Sequence, residues 1–144
     1  MNGQDTPQPV LRLRAGTREP FTDSAGNLWQ PDHGYAGGEA VDRGPISIAT
    51  AGLQELYRTV RIGASGYTFP AENGRYTVLL HMVENDPAVT GKGQRVFSVR
   101  IGENELKDVD IWELSGGLHI PLVFAFAVTV RSGTLAGQTV CAGR

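Results

Sequence analysis

Apolar residues in this chain fall in short runs cut by glycine, proline and Asx clusters, and no long segment repeats at the helical period of 3.6. Val10–Ala15 alternates, with Leu11 and Leu13 on one face and Arg12 and Arg14 on the other. An irregular stretch, 16–53, follows, with Asp23-Ser24-Ala25-Gly26-Asn27 as a turn. Leu56–Ile62 reads as the next strand. Tyr67–Pro70 and Tyr76–Glu84 flank Asn73-Gly74, a strong tight-turn signal, and together predict a β-hairpin. In its second arm Tyr76, Val78, Leu80 and Met82 face one way and Thr77, Leu79, His81 and Val83 the other. Both faces are largely apolar, so this strand is expected to be central and covered. Arg95–Ile101, Glu105–Ile111 and Leu122–Val130 complete the strands, broken at Gly102–Asn104, Gly116-Gly117 and Arg131–Gly133. Such spacing is that of an all-β sandwich or barrel.

Composition narrows the picture. A chain of 144 residues, 40% apolar and 19% charged, suits one globular domain, taken here as 10–144 after a polar lead-in, 1–9. Thirteen basic against fifteen acidic residues give a net charge of −2, without the basic surplus a nucleic-acid partner requires. Neither a polybasic cluster nor a charged-then-apolar leader is present. The longest apolar run, Ile120–Val130, is too short to cross a bilayer, so no membrane insertion is expected. Cys141 is the only cysteine, which excludes an intrachain disulfide.

Candidate chemistry is sparse. Glu84 with Asp86, and Asp110 with Glu113, are carboxylate pairs of the kind glycosidases use, but the i, i+2 spacing of Glu84 and Asp86 at a strand end describes a solvated exit better than two groups astride a bond. No serine has a nucleophile-elbow context, and His33, His81 and His119 lack metal-ligand spacing. His81, mid-strand between Leu79 and Val83, reads as a hydrogen-bonded core or interface histidine. Asp23, Asn27 and Asp32 carry oxygens that calcium could take, yet an Asx-rich turn holding the loop is the stronger reading, and no cofactor is expected. The glycine pairs have no following helix to make a phosphate cradle.

Several segments, in this order, resemble the malectin family of carbohydrate-binding domains. They are Phe21–Asp32 with Gly37-Gly38, Leu56-Tyr57-Arg58-Thr59-Val60-Arg61, Tyr67 and Pro70, Asn73–Val78 with Leu80-His81 and Glu84, Gly93–Val99, Asp110-Ile111 with Gly116-Gly117, and Val128–Leu135. The resemblance implies a jelly-roll-like β-sandwich of two antiparallel sheets that binds an oligo- or polysaccharide non-catalytically through loops at one end. It also implies a module of a larger, extracytoplasmic, glycan-active protein, and places Trp29 in the core and Glu84 in a structural role.

The chain departs from the sugar-reading members at their aromatic positions. Asp86-Pro87 stand where an aromatic pair is expected, Ile62 stands in place of a tyrosine, and residues 39–42 contain none, although Tyr35 is near. After Leu135 the chain has no counterpart of the acidic ligand residue or closing strand. The candidate sugar contacts are therefore Tyr35, Ile62, Asn85, Asp86 and Trp112, the two aromatics as stacking platforms and the polar pair as hydrogen bonders. The alternative is a protein-interaction or structural sandwich that has lost sugar binding, which could pair with itself through an open sheet edge.

Overall fold

The computed structural model describes residues 11–141, and for Val140 and Cys141 the backbone alone. The lead-in 1–9, Val10 and residues 142–144 lie outside it. The strands are β1 (Phe21–Thr22), β2 (Leu28–Trp29), β3 (Tyr35–Ala36), β4 (Glu39–Asp42), β5 (Thr59–Ile62), β6 (Gly66–Pro70), β7 (Gly74–Met82), β8 (Phe97–Ile101), β9 (Asn104–Val109), β10 (Leu122–Val130) and β11 (Thr134–Cys141). A 3₁₀ turn spans Gln54–Tyr57 and a short helix, α1, Ile111–Ser115. All strand pairings are antiparallel. One sheet has the order β3-β6-β11-β8-β9, facing a ribbon of β7 and β10, with β4-β5 and β1-β2 as small additional ladders.

Alternation builds the sandwich. Val99 and Ile101 of β8 meet Val128 of β10, and Val78, Leu80, Met82, Phe126 and Leu135 pack around them. A second cluster joins Trp29, Ile48, Leu56 and Tyr57, with Phe21, Ile46, Leu53 and Val83 at its margin. It caps the outer side of β7 at His81, whose ring meets the Trp29 ring edge-on and whose Nδ1 lies 2.9 Å from the Tyr57 hydroxyl. His81 and Trp29 thus take the core roles expected of them. Burial holds the His81 pKa below its ordinary value and raises that of Tyr57.

Several strand expectations need correction. Asn73-Gly74 does not close a hairpin: β6 pairs with β3 and β11, while β7 pairs with β10 along its whole length. The turn instead carries the chain from one layer to the other. Asn73 Oδ1 accepts the Gly133 N–H at 2.8 Å, and Ala71 N–H donates to Gly133 O, tying this turn to the β10–β11 turn. The start of the expected strand 56–62 is the 3₁₀ turn, in which Leu56 and Tyr57 face the second core cluster. Ile111 belongs to α1, because Asp110 accepts the Glu113 N–H and starts a helix that Gly116 ends in the left-handed conformation. Leu13 makes only a bridge to Gln30. β7 is not the central strand expected, since among the described residues it pairs with β10 alone, and it is covered on one face only. Its inner residues enter the core, but Leu79 and, opposite His81 on β10, Val123 are 56% and 52% exposed.

Asp23 anchors the first loop. Its carboxylate accepts N–H groups from Ala25 and Asn27, the Asn27 amide and the Trp29 indole. The indole bond, followed by the Asn27 backbone bond, lowers its pKa from 3.8 to about 2. A carboxylate with a depressed folded pKa contributes stability above its unfolded pKa and loses it as pH falls through the folded value. A denaturant series followed by tryptophan fluorescence is therefore expected to show stability falling between pH 3.8 and about 2, and Asp23→Asn should flatten that limb. An unchanged limb in the variant would assign acid unfolding to other carboxylates.

Candidate functional site

Strand register gathers the β3–β4, β5–β6, β7–β8 and β9–β10 connections at one end of the sandwich, since Gly66, Met82, Phe97, Val109 and Leu122 all lie towards it. The loops presenting the candidate sugar contacts therefore share this end, although their side chains fall into separate groups.

The most developed group surrounds Tyr35. The β3–β6 pairing sets Tyr35 opposite Tyr67. The Arg61 guanidinium lies 3.5 Å from the centre of the Tyr35 ring, while the Tyr67 ring meets it edge-on at 6.4 Å. Tyr67 stacks on Phe69, which His33 contacts edge-on. Arg61 is held by Asp32 through Nε at 2.7 Å and by the Gly37 and Gly38 carbonyls through NH1. Asp32 also accepts the Gly16 N–H at 2.8 Å and the Tyr67 hydroxyl at 2.9 Å. The Asp32 bond raises the Arg61 pKa, and burial, followed by the Tyr67 hydroxyl's own bond to Asp32, pushes the Tyr67 phenol up. The charges of Arg61 and Asp32 offset each other, leaving Tyr35, 44% exposed, as an aromatic surface on a rigid, neutral support.

Gly38 is required here on two counts. Its φ is +84°, and a Cβ would come within 2.7 Å of the Ala64 backbone nitrogen. The close approach of the β3–β4 and β5–β6 loops depends on it.

Ile62 ends β5 opposite Glu39, next to this group and half-buried. Asn85 and Asp86 lie by the other end of the β4–β5 ladder, where Arg43 follows Asp42. That is about 10 Å along the strands at the usual rise. Both are engaged in the fold. Asn85 is buried, donates to the Tyr57 carbonyl at 2.9 Å and accepts from Arg43 Nε at 3.2 Å. Asp86 accepts from Arg95 at 2.7 Å and from the Ala88 N–H, with Arg43 NH2 at 3.6 Å. Glu84 is buried and binds Arg95 Nε at 2.8 Å and the Asp86 N–H, which is the loop-holding role implied for it and corrects the solvated exit expected of the Glu84–Asp86 pair. Asp110 caps α1 and also accepts the Gly93 N–H. Trp112, on the first turn of α1, is half-buried.

Asp23 and Asp32, two of the suggested calcium ligands, engage different partners: the first its own turn, the second Arg61, Tyr67 and Gly16. Among the described residues no group of three or more histidine, cysteine or acidic side chains could hold a metal.

The sequence profile of the Malectin domain matches residues 10–144. The chain belongs to the malectin family. Among curated proteins, this malectin domain is 45% identical to Receptor-like protein 4 of Arabidopsis thaliana over 64 residues, 44% of the chain and 10% of that protein. It is 45% identical to a probable receptor-like protein kinase of the same plant over 84 residues, 57% of the chain and again 10% of the relative. The chain thus spans about a tenth of these larger proteins.

Among solved structures, the ANXUR2 extracellular domain from Arabidopsis thaliana superposes with a TM-score of 0.75 at 21% identity, covering 91% of this chain and 43% of that one. A Bacteroides uniformis beta-glucuronidase matches with a TM-score of 0.78 at 19% identity, covering 92% of this chain and 16% of the enzyme. Both share the β-sandwich fold.

Proposed function

We propose that this malectin domain is a non-catalytic carbohydrate-binding module whose binding surface is the loop end around Tyr35. The observation that carries the reading is the exposed Tyr35 ring fixed over the Asp32-bound Arg61 guanidinium. A sugar ring packs its C–H face on such an aromatic and finds hydrogen-bond partners at the rim, while a pinned platform loses little entropy on binding. Ile62 extends the apolar surface, Asn85 and Asp86 shape the adjoining loop, and Trp112 supplies a second aromatic from α1. The carboxylates that could suggest hydrolysis support a non-catalytic role, since Glu84 and Asp86 are held by Arg95 and Asp110 caps a helix. Its relatives named as receptor-like proteins favour an extracytoplasmic module of a longer chain.

A glycan array probed with the wild type and with Tyr35→Ala tests this directly. Binding to at least one glycan is expected, weakened about five- to tenfold in the variant by loss of a stacking contact of roughly 1–1.5 kcal/mol. Tyr35→Phe should bind like the wild type. Undiminished binding by Tyr35→Ala, with loss in Trp112→Ala, would move the site to α1, and failure to bind any glycan would refute the reading.

A further inference from the structure

The ribbon of β7 and β10 stands over a sheet of five strands, and its two sides differ. On the β7 side, Trp29 and Tyr57 close over His81. On the β10 side, the neighbour is β9, the last strand of the larger sheet. Asn104, at the start of β9, donates its side-chain amide to the Ala127 carbonyl at 2.8 Å. This bond fixes which backbone groups of β10 point outwards. In an antiparallel ladder alternate residues turn N–H and C=O to the same side, so Val123 and Ala125, in phase with Ala127, direct theirs away from β7. Among the described residues no backbone group pairs with them.

The two edges on this open side are not equivalent. β9 carries exposed Glu105, Lys107 and Asp108, and Asp108 has a φ of 55°. Charge and an irregular backbone are the usual protection of an edge against strand addition. β10 has neither charge nor proline between Leu122 and Val130. Its inward residues Leu122, Phe124 and Phe126 are only half-buried, so the interior is unfinished beside it. Beyond Ala127 the edge runs into a groove of about 480 Å³ lined by Gly102, Asn104, Thr129, Arg131 and Leu135.

We propose that the β10 edge accepts an extended peptide strand from another polypeptide, with uncharged residues and an apolar side chain at every second position. The strand would hydrogen-bond to Val123 and Ala125, turn its apolar residues towards Phe124 and Phe126, and meet the Asn104 amide at its end. Self-pairing of two copies fits less well, because it would bring two charged β9 edges together. The proposal does not depend on sugar binding, since it uses a strand edge rather than the loop end.

The test follows amide hydrogen exchange by NMR during titration with a short acetylated peptide of alternating threonine and valine. The same peptide N-methylated at every second residue is the control. Exchange at Val123 and Ala125 is expected to slow, with little change at Leu122 and Phe124, already paired with β7. N-methylation should weaken binding about tenfold or more, the effect of losing one or two net hydrogen bonds. Absence of protection, or equal protection by the N-methylated peptide, overturns the proposal. So does protection without peptide that grows with protein concentration and a dimer mass in light scattering, which would assign the edge to a second copy.

Discussion

Asp32→Ala is expected to destabilise the domain by about 3–5 kcal/mol, the cost of leaving a buried charge without its partner. Asp32 is 3% and Arg61 10% exposed at the side chain, and their 2.7 Å bond is accompanied by those from Gly16 and Tyr67. Alanine strands a guanidinium, a backbone N–H and a phenol at once. Arg61 keeps the Gly37 and Gly38 carbonyls and the Tyr35 ring face but loses its counter-charge. Urea unfolding would read the loss as a lower midpoint at constant slope. Asp32→Asn, which can still accept one or two of these bonds but has no charge, should fall between the wild type and alanine. A loss in Asp32→Ala below about 1 kcal/mol, within the range of exposed ion pairs, would mean that Arg61 is solvated instead. Because Arg61 supports the Tyr35 ring, any glycan affinity should fall in both variants.

Trp29→Ala is expected to cost a similar amount, about 3–5 kcal/mol, through a different mechanism. Trp29 is 9% exposed and joins Ile48, Leu56 and Tyr57 in the cluster that closes the outer side of β7. Its removal opens a cavity beside His81 and takes away the largest influence on the Asp23 pKa. Two readouts should therefore move together: the unfolding midpoint near neutral pH drops, and the acid limb between pH 3.8 and about 2 becomes shallower. Trp29→Phe separates them. It should recover part of the packing but none of the Asp23 bond. A full return of the acid limb in Trp29→Phe would show that the indole N–H does not set it.

Leu122–Val130 and most of Arg95–Ile101 were legible in the sequence, and so were the breaks at Gly116-Gly117 and Arg131–Gly133, whereas the alternation of Leu11 and Leu13 with Arg12 and Arg14 yields only a bridge. What the pattern does not encode is the partner of each strand. Asn73-Gly74 has the composition of a hairpin turn whether the flanking strands pair or part, and here Gly133 decides the matter from 60 residues away. β7 read as a covered strand because both its faces are apolar, yet what covers it is a long-range cluster at one end and solvent at the other.

The candidate site was legible in the same uneven way. Tyr35 was visible as an aromatic in a glycine-rich loop. Asp32, Arg61, Tyr67 and Phe69, which give that aromatic its setting, lie in three separate segments, and no local spacing joins them. Asn85 and Asp86 looked like free hydrogen bonders because Arg43 and Arg95, their partners, are distant or on the far side of a loop.

The central claim is that the Tyr35 surface at the loop end holds sugar. Its most direct test is an NMR titration of the isotope-labelled chain with a glycan selected on the array. Saturable shifts are predicted for Tyr35, Gly37, Gly38, Ile62 and Tyr67, with the β10 edge unaffected. Shifts confined to α1 or to β10, or none with any glycan, would contradict it.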